Sequence, residues 1–92
     1  MKQQTLPTID DLRDLLVLID KVGVAKAAEE RNISQPTMTR RLKTFQLDEG
    51  GLAILEKQGK SLVPTALGRR ALPAIQDLVQ QYDHLMSYFE RE

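Results

Sequence analysis

The sequence contains no cysteine, which excludes disulfide frameworks, thiolate metal sites and thiol nucleophiles together. Its single histidine, His84, cannot build a typical zinc site when no thiolate or second imidazole is available. No serine has a partner base, no glycine-rich phosphate loop is present, and the carboxylates read as scattered over solvated helix faces. Neither enzyme activity nor a bound metal or cofactor is expected. No run approaches the roughly 20 apolar residues that span a bilayer, and the opening MKQQTLPTIDD lacks the apolar stretch and cleavage site of a signal peptide. A cytoplasmic protein without membrane contact is expected. Net charge is missing too. Thirteen basic residues balance thirteen acidic ones, which taken alone counts against nucleic acid, because domains that bind it are usually basic.

What is present is an ordinary soluble composition, 41% apolar and 28% charged, over 92 residues. That length supports one domain with one modest core. The charges are segregated: Asp10, Asp11, Asp14 and Asp20 crowd the first helical pattern, while Arg40, Arg41, Lys43, Lys57, Lys60, Arg69 and Arg70 lie further on. A cationic face therefore survives overall neutrality.

After Pro7, Thr8 is placed to cap a helix, with Asp11 three residues later in a capping box. Ile9, Leu12, Leu15, Leu16, Ile19 and Val22 recur at helical spacing until Gly23 interrupts. The next stretch, VAKAAEERN, is rich in helix formers, with Ala25, Ala27 and Ala28 small enough for close approach and Asn32 suited to end it. Only Ile33 then precedes Ser34, an N-cap candidate, and Pro36, which is harmless in a first turn.

The third helix is expected from about Gln35 to Phe45 or Leu47. Met38, Leu42 and Phe45 form its core stripe, and helical arithmetic puts Thr37, Arg40 and Thr44 opposite, with Gln35 and Thr39 on the flanks. LDEGGLAILEKQGKSLVPT then reads as a short hairpin with KQGK at its turn. Thr65 is placed to cap a last helix in which Ala71, Ile75, Leu78, Tyr82, Leu85 and Phe89 make a seam beside a second row of Leu72, Val79 and Met86. Pro73 inside that pattern is expected to bend it.

Two helices joined by a tight turn, followed by a hairpin, describe a mainly α winged helix-turn-helix with a small β-hairpin wing and a long C-terminal linker helix. Residues 1–64 would form the DNA-binding unit and 65–92 the linker and dimerisation helix. The stretches LRDLLVLIDKVGVAKAA, SQPTMTRRLKTF, GGLAILEK and LVPTALGRRALP, in that order, resemble the N-terminal DNA-binding domain of LysR-type transcriptional regulators over about residues 12 to 73. The chain departs from that pattern in four places. Gly23 stands where a helix-starting Ser is usual, Arg31 holds a usually apolar position and would snorkel, Phe45-Gln46 replaces Leu-Glu with one extra residue before Gly51, and Lys57 replaces an Arg.

The resemblance implies sequence-specific binding of double-stranded DNA, with the third helix (about 35–46) in the major groove and the wing (about 54–63) near the minor groove. Gln35, Thr37, Thr39 and Arg40 would then read bases, since Gln pairs with adenine, Arg with guanine, and Thr methyls touch thymine methyls. Arithmetic alone supports Thr37 and Arg40; Gln35 and Thr39 rest on the resemblance. Ser34, which caps first, together with Arg41 and Lys43 would meet the DNA backbone. Lys57, Gln58 and Lys60 would form the wing tip, unless that tip is merely solvated.

Ile75, Leu78, Val79, Tyr82, Leu85, Met86 and Phe89 are expected to pair two subunits into a homodimer on an inverted-repeat operator. The same seam could pack on the first helix of its own subunit. A small-molecule effector is expected only through a domain absent from this chain. The competing reading from another class is a helical protein-interaction module that does not read DNA.

Overall fold

The structure is a computed structural model and describes residues 6–90. Residues 1–5 of the stretch weighed as a signal sequence, and residues 91–92 of the expected linker, lie outside the described residues. Three helices come first: α1 (Ile9–Lys21), α2 (Val24–Arg31) and α3 (Gln35–Leu42). Two 3₁₀ turns, Lys43–Phe45 and Leu47–Glu49, lead to an antiparallel hairpin of β1 (Leu55–Gln58) and β2 (Ser61–Pro64). A 25-residue helix, α4 (Ala66–Glu90), completes the fold. This is the winged helix-turn-helix that the sequence describes.

Local side-chain chemistry sets most boundaries. The Thr8 hydroxyl accepts from the Asp11 amide at 3.1 Å while the Asp11 carboxylate accepts from the Thr8 amide at 2.9 Å, a reciprocal capping box at the start of α1. Asn32 closes α2 in the left-handed conformation at φ 63°. At the other corner the left-handed residue is Val22, at φ 56°, with Gly23 at φ 153° behind it. A Ser at position 23 would be strained there, so the missing capping hydroxyl follows from the backbone path. Helix α3 is shorter than expected because the chain tightens into a 3₁₀ turn at Lys43.

The core lies between the three short helices and the base of the hairpin. Leu15, Met38, Leu42, Phe45 and Leu55 are fully buried, with Leu18, Ala27, Ala28 and Ile54 beside them. Each large side chain removed from water in this way contributes about 1.5–3 kcal/mol before conformational entropy is counted. Ala27 and Ala28 let α2 lie close to its neighbours, whereas Ala25 is exposed.

Two expectations about the hairpin and the last helix need correction. The apolar run Leu52–Ile54 is not a strand: the Leu52 amide donates to the Thr44 carbonyl at 2.9 Å and the Ile54 amide to the Phe45 carbonyl at 3.1 Å, tying the run to the 3₁₀ turn that follows α3. The strands therefore begin at Leu55, and Lys57 and Gln58 belong to β1 with Gly59 and Lys60 as the loop. In α4, Ile75 packs against the core and Val79 is only 7% exposed, so these two members of the expected pairing seam turn toward their own domain. Leu78, Tyr82, Leu85, Met86 and Phe89 remain on the surface. The helix runs unbroken through Pro73.

The base of α4 is locked onto the loop before the wing. The Thr65 hydroxyl donates to the Ala53 carbonyl at 2.5 Å and accepts from the Gly68 amide at 2.9 Å, while the Thr65 amide donates to the Ile54 carbonyl at 2.9 Å. Gly68 passes so close to Ile54 that a Cβ on it would lie 2.2 Å from that carbonyl oxygen. Further along, Arg13 of α1 forms a bidentate ion pair with Asp83 of α4 and lies over the Tyr82 ring at 5.8 Å. The Asp83 carboxyl is held below the usual carboxylate range by its hydrogen bond from the Arg13 guanidinium.

Candidate nucleic-acid interface

Helix α3 begins at Ser34, whose hydroxyl accepts from the Thr37 amide at 3.2 Å and donates to the Thr37 hydroxyl at 2.9 Å. Ser34 is thus a cap, as its position suggests. Pro36 follows in the first turn, where it lacks only a donor that would have had no helical partner. From this fixed start the helix presents one open groove, lined by Gln35, Pro36, Thr39, Arg40 and Lys43.

That groove corrects the helical arithmetic. Thr37 is half-buried and turned onto Ser34, and Thr44 is half-buried as well, whereas Gln35, Thr39 and Arg40 are exposed. The reason is that α3 is flanked on two sides. Met38 and Leu42 enter the core, Arg41 reaches back to Asp14 of α1, and Thr37 is turned onto the Ser34 cap. The open arc is therefore not diametrically opposite the core stripe. Pro36, read from the sequence only as a helix starter, lies on this arc, and the 36, 39, 40, 43 spacing marks one helix face.

Arg41 sits apart from Arg40 and Lys43. Its Nη1 approaches Oδ2 of Asp14 at 3.4 Å, and Oδ1 of the same carboxylate accepts from Arg31 Nε at 2.8 Å. Asp14 is fully buried, contrary to the expectation that the carboxylates lie on solvated faces. Arg31 spreads between Asp14 and Asp10, the latter at 3.6 Å, so its usually apolar position is filled by a charge with partners on α1. By contrast, no carboxylate among the described residues pairs with Arg40, Lys43, Lys57 or Lys60. The formal charge of the chain is zero, yet the cations of the outward face of α3 and of the wing are unopposed.

The wing adjoins that face. A second groove, lined by Val24, Thr39, Gln46, Lys57, Gly59, Lys60 and Leu62, joins α3 to the hairpin loop. Lys57, Gln58 and Lys60 are exposed on the wing. Sequence reasoning missed Val24, Gln46 and Leu62 as lining residues, because they are brought together only by tertiary packing. Gln46 is almost completely buried, and its Oε1 has no hydrogen-bond partner. Among the described residues no group of three or more His, Cys, Asp or Glu is placed to hold a metal ion, and no helix is long and apolar enough to cross a membrane.

A short helix with an unopposed polar and cationic face, braced by two others and flanked by a basic hairpin, defines a winged helix-turn-helix domain. Residues 9–69 match the model of the bacterial regulatory helix-turn-helix proteins of the lysR family. The chain belongs to that family. It is 42% identical over 60 residues to the HTH-type transcriptional regulator YtlI of Bacillus subtilis (strain 168), covering 65% of this chain and 19% of that protein. It is 26% identical over 78 residues to YbhD of Escherichia coli (strain K12), described as an uncharacterized HTH-type transcriptional regulator, covering 85% of this chain and 24% of that protein. The chain thus spans about a fifth to a quarter of the length of these curated relatives. A crystal structure of Vibrio fischeri DarR in complex with DNA superposes with a TM-score of 0.78 at 26% identity, over 95% of this chain and 30% of that one.

Proposed function

We propose that this chain is the operator-binding part of a bacterial transcriptional regulator, binding double-stranded DNA sequence-specifically as a homodimer in the cytoplasm, where its target is accessible. The observation that carries the reading is the outward arc of α3, with Gln35, Thr39 and Arg40 exposed and no carboxylate opposing its cations. A helix entering the major groove with this face forward offers Gln35 to adenine, Arg40 to guanine and the Thr39 methyl to thymine. Lys43, and Ser34 at the helix start, are positioned for phosphate, and Lys57, Gln58 and Lys60 for the neighbouring minor groove or its backbone. The solved DNA complex of DarR supports assigning the same type of partner here.

In this reading residues 1–64 form the DNA-binding unit and 65–92 the pairing helix, whose first turns stay docked on that unit. Leu78 and Leu85, about half exposed, with Tyr82, Met86 and Phe89, form an apolar row that a second copy would cover. Two recognition helices would then address half-sites about 34–36 Å apart, or a multiple of one DNA turn. Any small-molecule effector acts through a domain outside these residues. The test is a selection of preferred duplexes from random DNA with the purified chain. An enriched inverted repeat is expected, and no enrichment at low salt would refute the proposal.

A further inference from the structure

Helix α3 and the turn that follows it carry three cations within four positions, Arg40, Arg41 and Lys43, and the structure treats them differently. Arg40 and Lys43 line the open groove, whereas Arg41 reaches back to α1. There it joins a cluster of two guanidinium groups and two carboxylates: Arg41 and Arg31 both meet Asp14, and Arg31 also meets Asp10. The formal charges of this cluster sum to zero. Asp14 at its centre is fully buried, while Arg41 keeps about a third of its side chain exposed.

We infer that Asp14 is a positioning residue that withholds Arg41 from the DNA backbone, so that α3 neutralises fewer phosphates than its sequence offers. The inference rests on the DNA-binding reading above and reverses the phosphate role that the sequence suggests for Arg41. A buried carboxylate is a fixed counterion that salt screens poorly, whereas a duplex phosphate is solvated and surrounded by competing cations. Arg41 therefore stays with Asp14 when DNA arrives and releases no counterion. Affinity then comes from fewer non-specific contacts, and the bases read by the outward arc carry a larger share of it.

The experiment measures affinity for a random-sequence duplex by fluorescence anisotropy across a salt series, for the full chain and three variants. Asp14→Leu combined with Arg31→Met replaces the part-buried pair with apolar side chains, an exchange that proteins often tolerate, and leaves Arg41 without its counterion. This double variant should steepen the slope of log K against log salt by about 0.9 per subunit. Adding Arg41→Gln to it should restore the original slope, which a merely structural defect would not do. Arg41→Gln alone should leave the slope unchanged, and this arm decides the matter if the double variant fails to fold. An unaltered slope in a folded double variant, or a slope about 0.9 shallower in Arg41→Gln alone, would overturn the inference. If the unmodified chain binds no duplex at low salt, the DNA-binding reading fails first and this inference with it.

Discussion

Gly68→Ala isolates the contact that fixes the long helix to the wing. The added Cβ would lie 2.2 Å from the Ile54 carbonyl oxygen, 3.1 Å from its carbonyl carbon and 3.3 Å from its Cγ2. Relief requires the start of α4 and residue 54 to separate by about 1 Å, the difference from an ordinary contact. That motion overpacks a well-filled region at about 1–3 kcal/mol and strains the Thr65 cap, whose loss costs about 1 kcal/mol. Against this, alanine in the first turn of α4 gains at most about 1 kcal/mol over glycine. The net expectation is destabilisation by about 1–3 kcal/mol, a melting temperature lower by about 5–20 °C for a chain of this size. Circular dichroism melts at matched protein concentration would show it, because a self-associating chain melts at a concentration-dependent temperature. A melting temperature equal to or above the parent's would mean that helix propensity outweighs the contact and that α4 is not locked to Ile54 as described.

Val22→Asn should stabilise the fold by about 0.5–1 kcal/mol in urea unfolding, since a β-branched residue in the left-handed conformation is strained and Asn tolerates it. The Val22 side chain is 86% exposed, so no packing is lost, and a destabilised variant would contradict the strained corner. Asp83→Asn should lower the melting temperature more at neutral pH than at acid pH. The carboxyl is depressed in the folded state, so its stabilisation is present above the unfolded value of about 4 and disappears as pH falls through the lower folded value. An equal difference at both pH values would show that the variant perturbs something other than the ion pair with Arg13. Leu78→Asp should give monomers in sedimentation, and an unchanged mass would assign α4 to no dimer interface.

Elements governed by neighbouring side chains were legible in the sequence. Thr8, Asn32, Ser34 and Thr65 each act within a few residues of their own position, and all four cap or terminate helices as their chemistry suggests. The core stripe of Met38, Leu42 and Phe45 was legible for the same reason, through its period. The orientation of the open arc on α3 was not, because periodicity identifies one buried stripe and cannot reveal that Thr37 turns onto the Ser34 cap or that Arg41 pairs with α1. Asp14 illustrates the same limit from the other side. A carboxylate on a helix reads as solvated until Arg31 and Arg41, 17 and 27 residues away, arrive to compensate it. Leu52 to Ile54 look like a strand by composition, but their backbone bonds go to Thr44 and Phe45.

The central claim is that the outward arc of α3 reads bases, and Gln35 tests it most directly because it carries no charge. Affinities of the parent chain and Gln35→Ala should be compared on an operator obtained by selection and on a random duplex, at one salt concentration. The variant should lose about 1–3 kcal/mol on the operator, relax preference at one base pair in each half-site, and bind random DNA as the parent does. Equal loss on both duplexes, or no loss on either, would contradict base reading by this face.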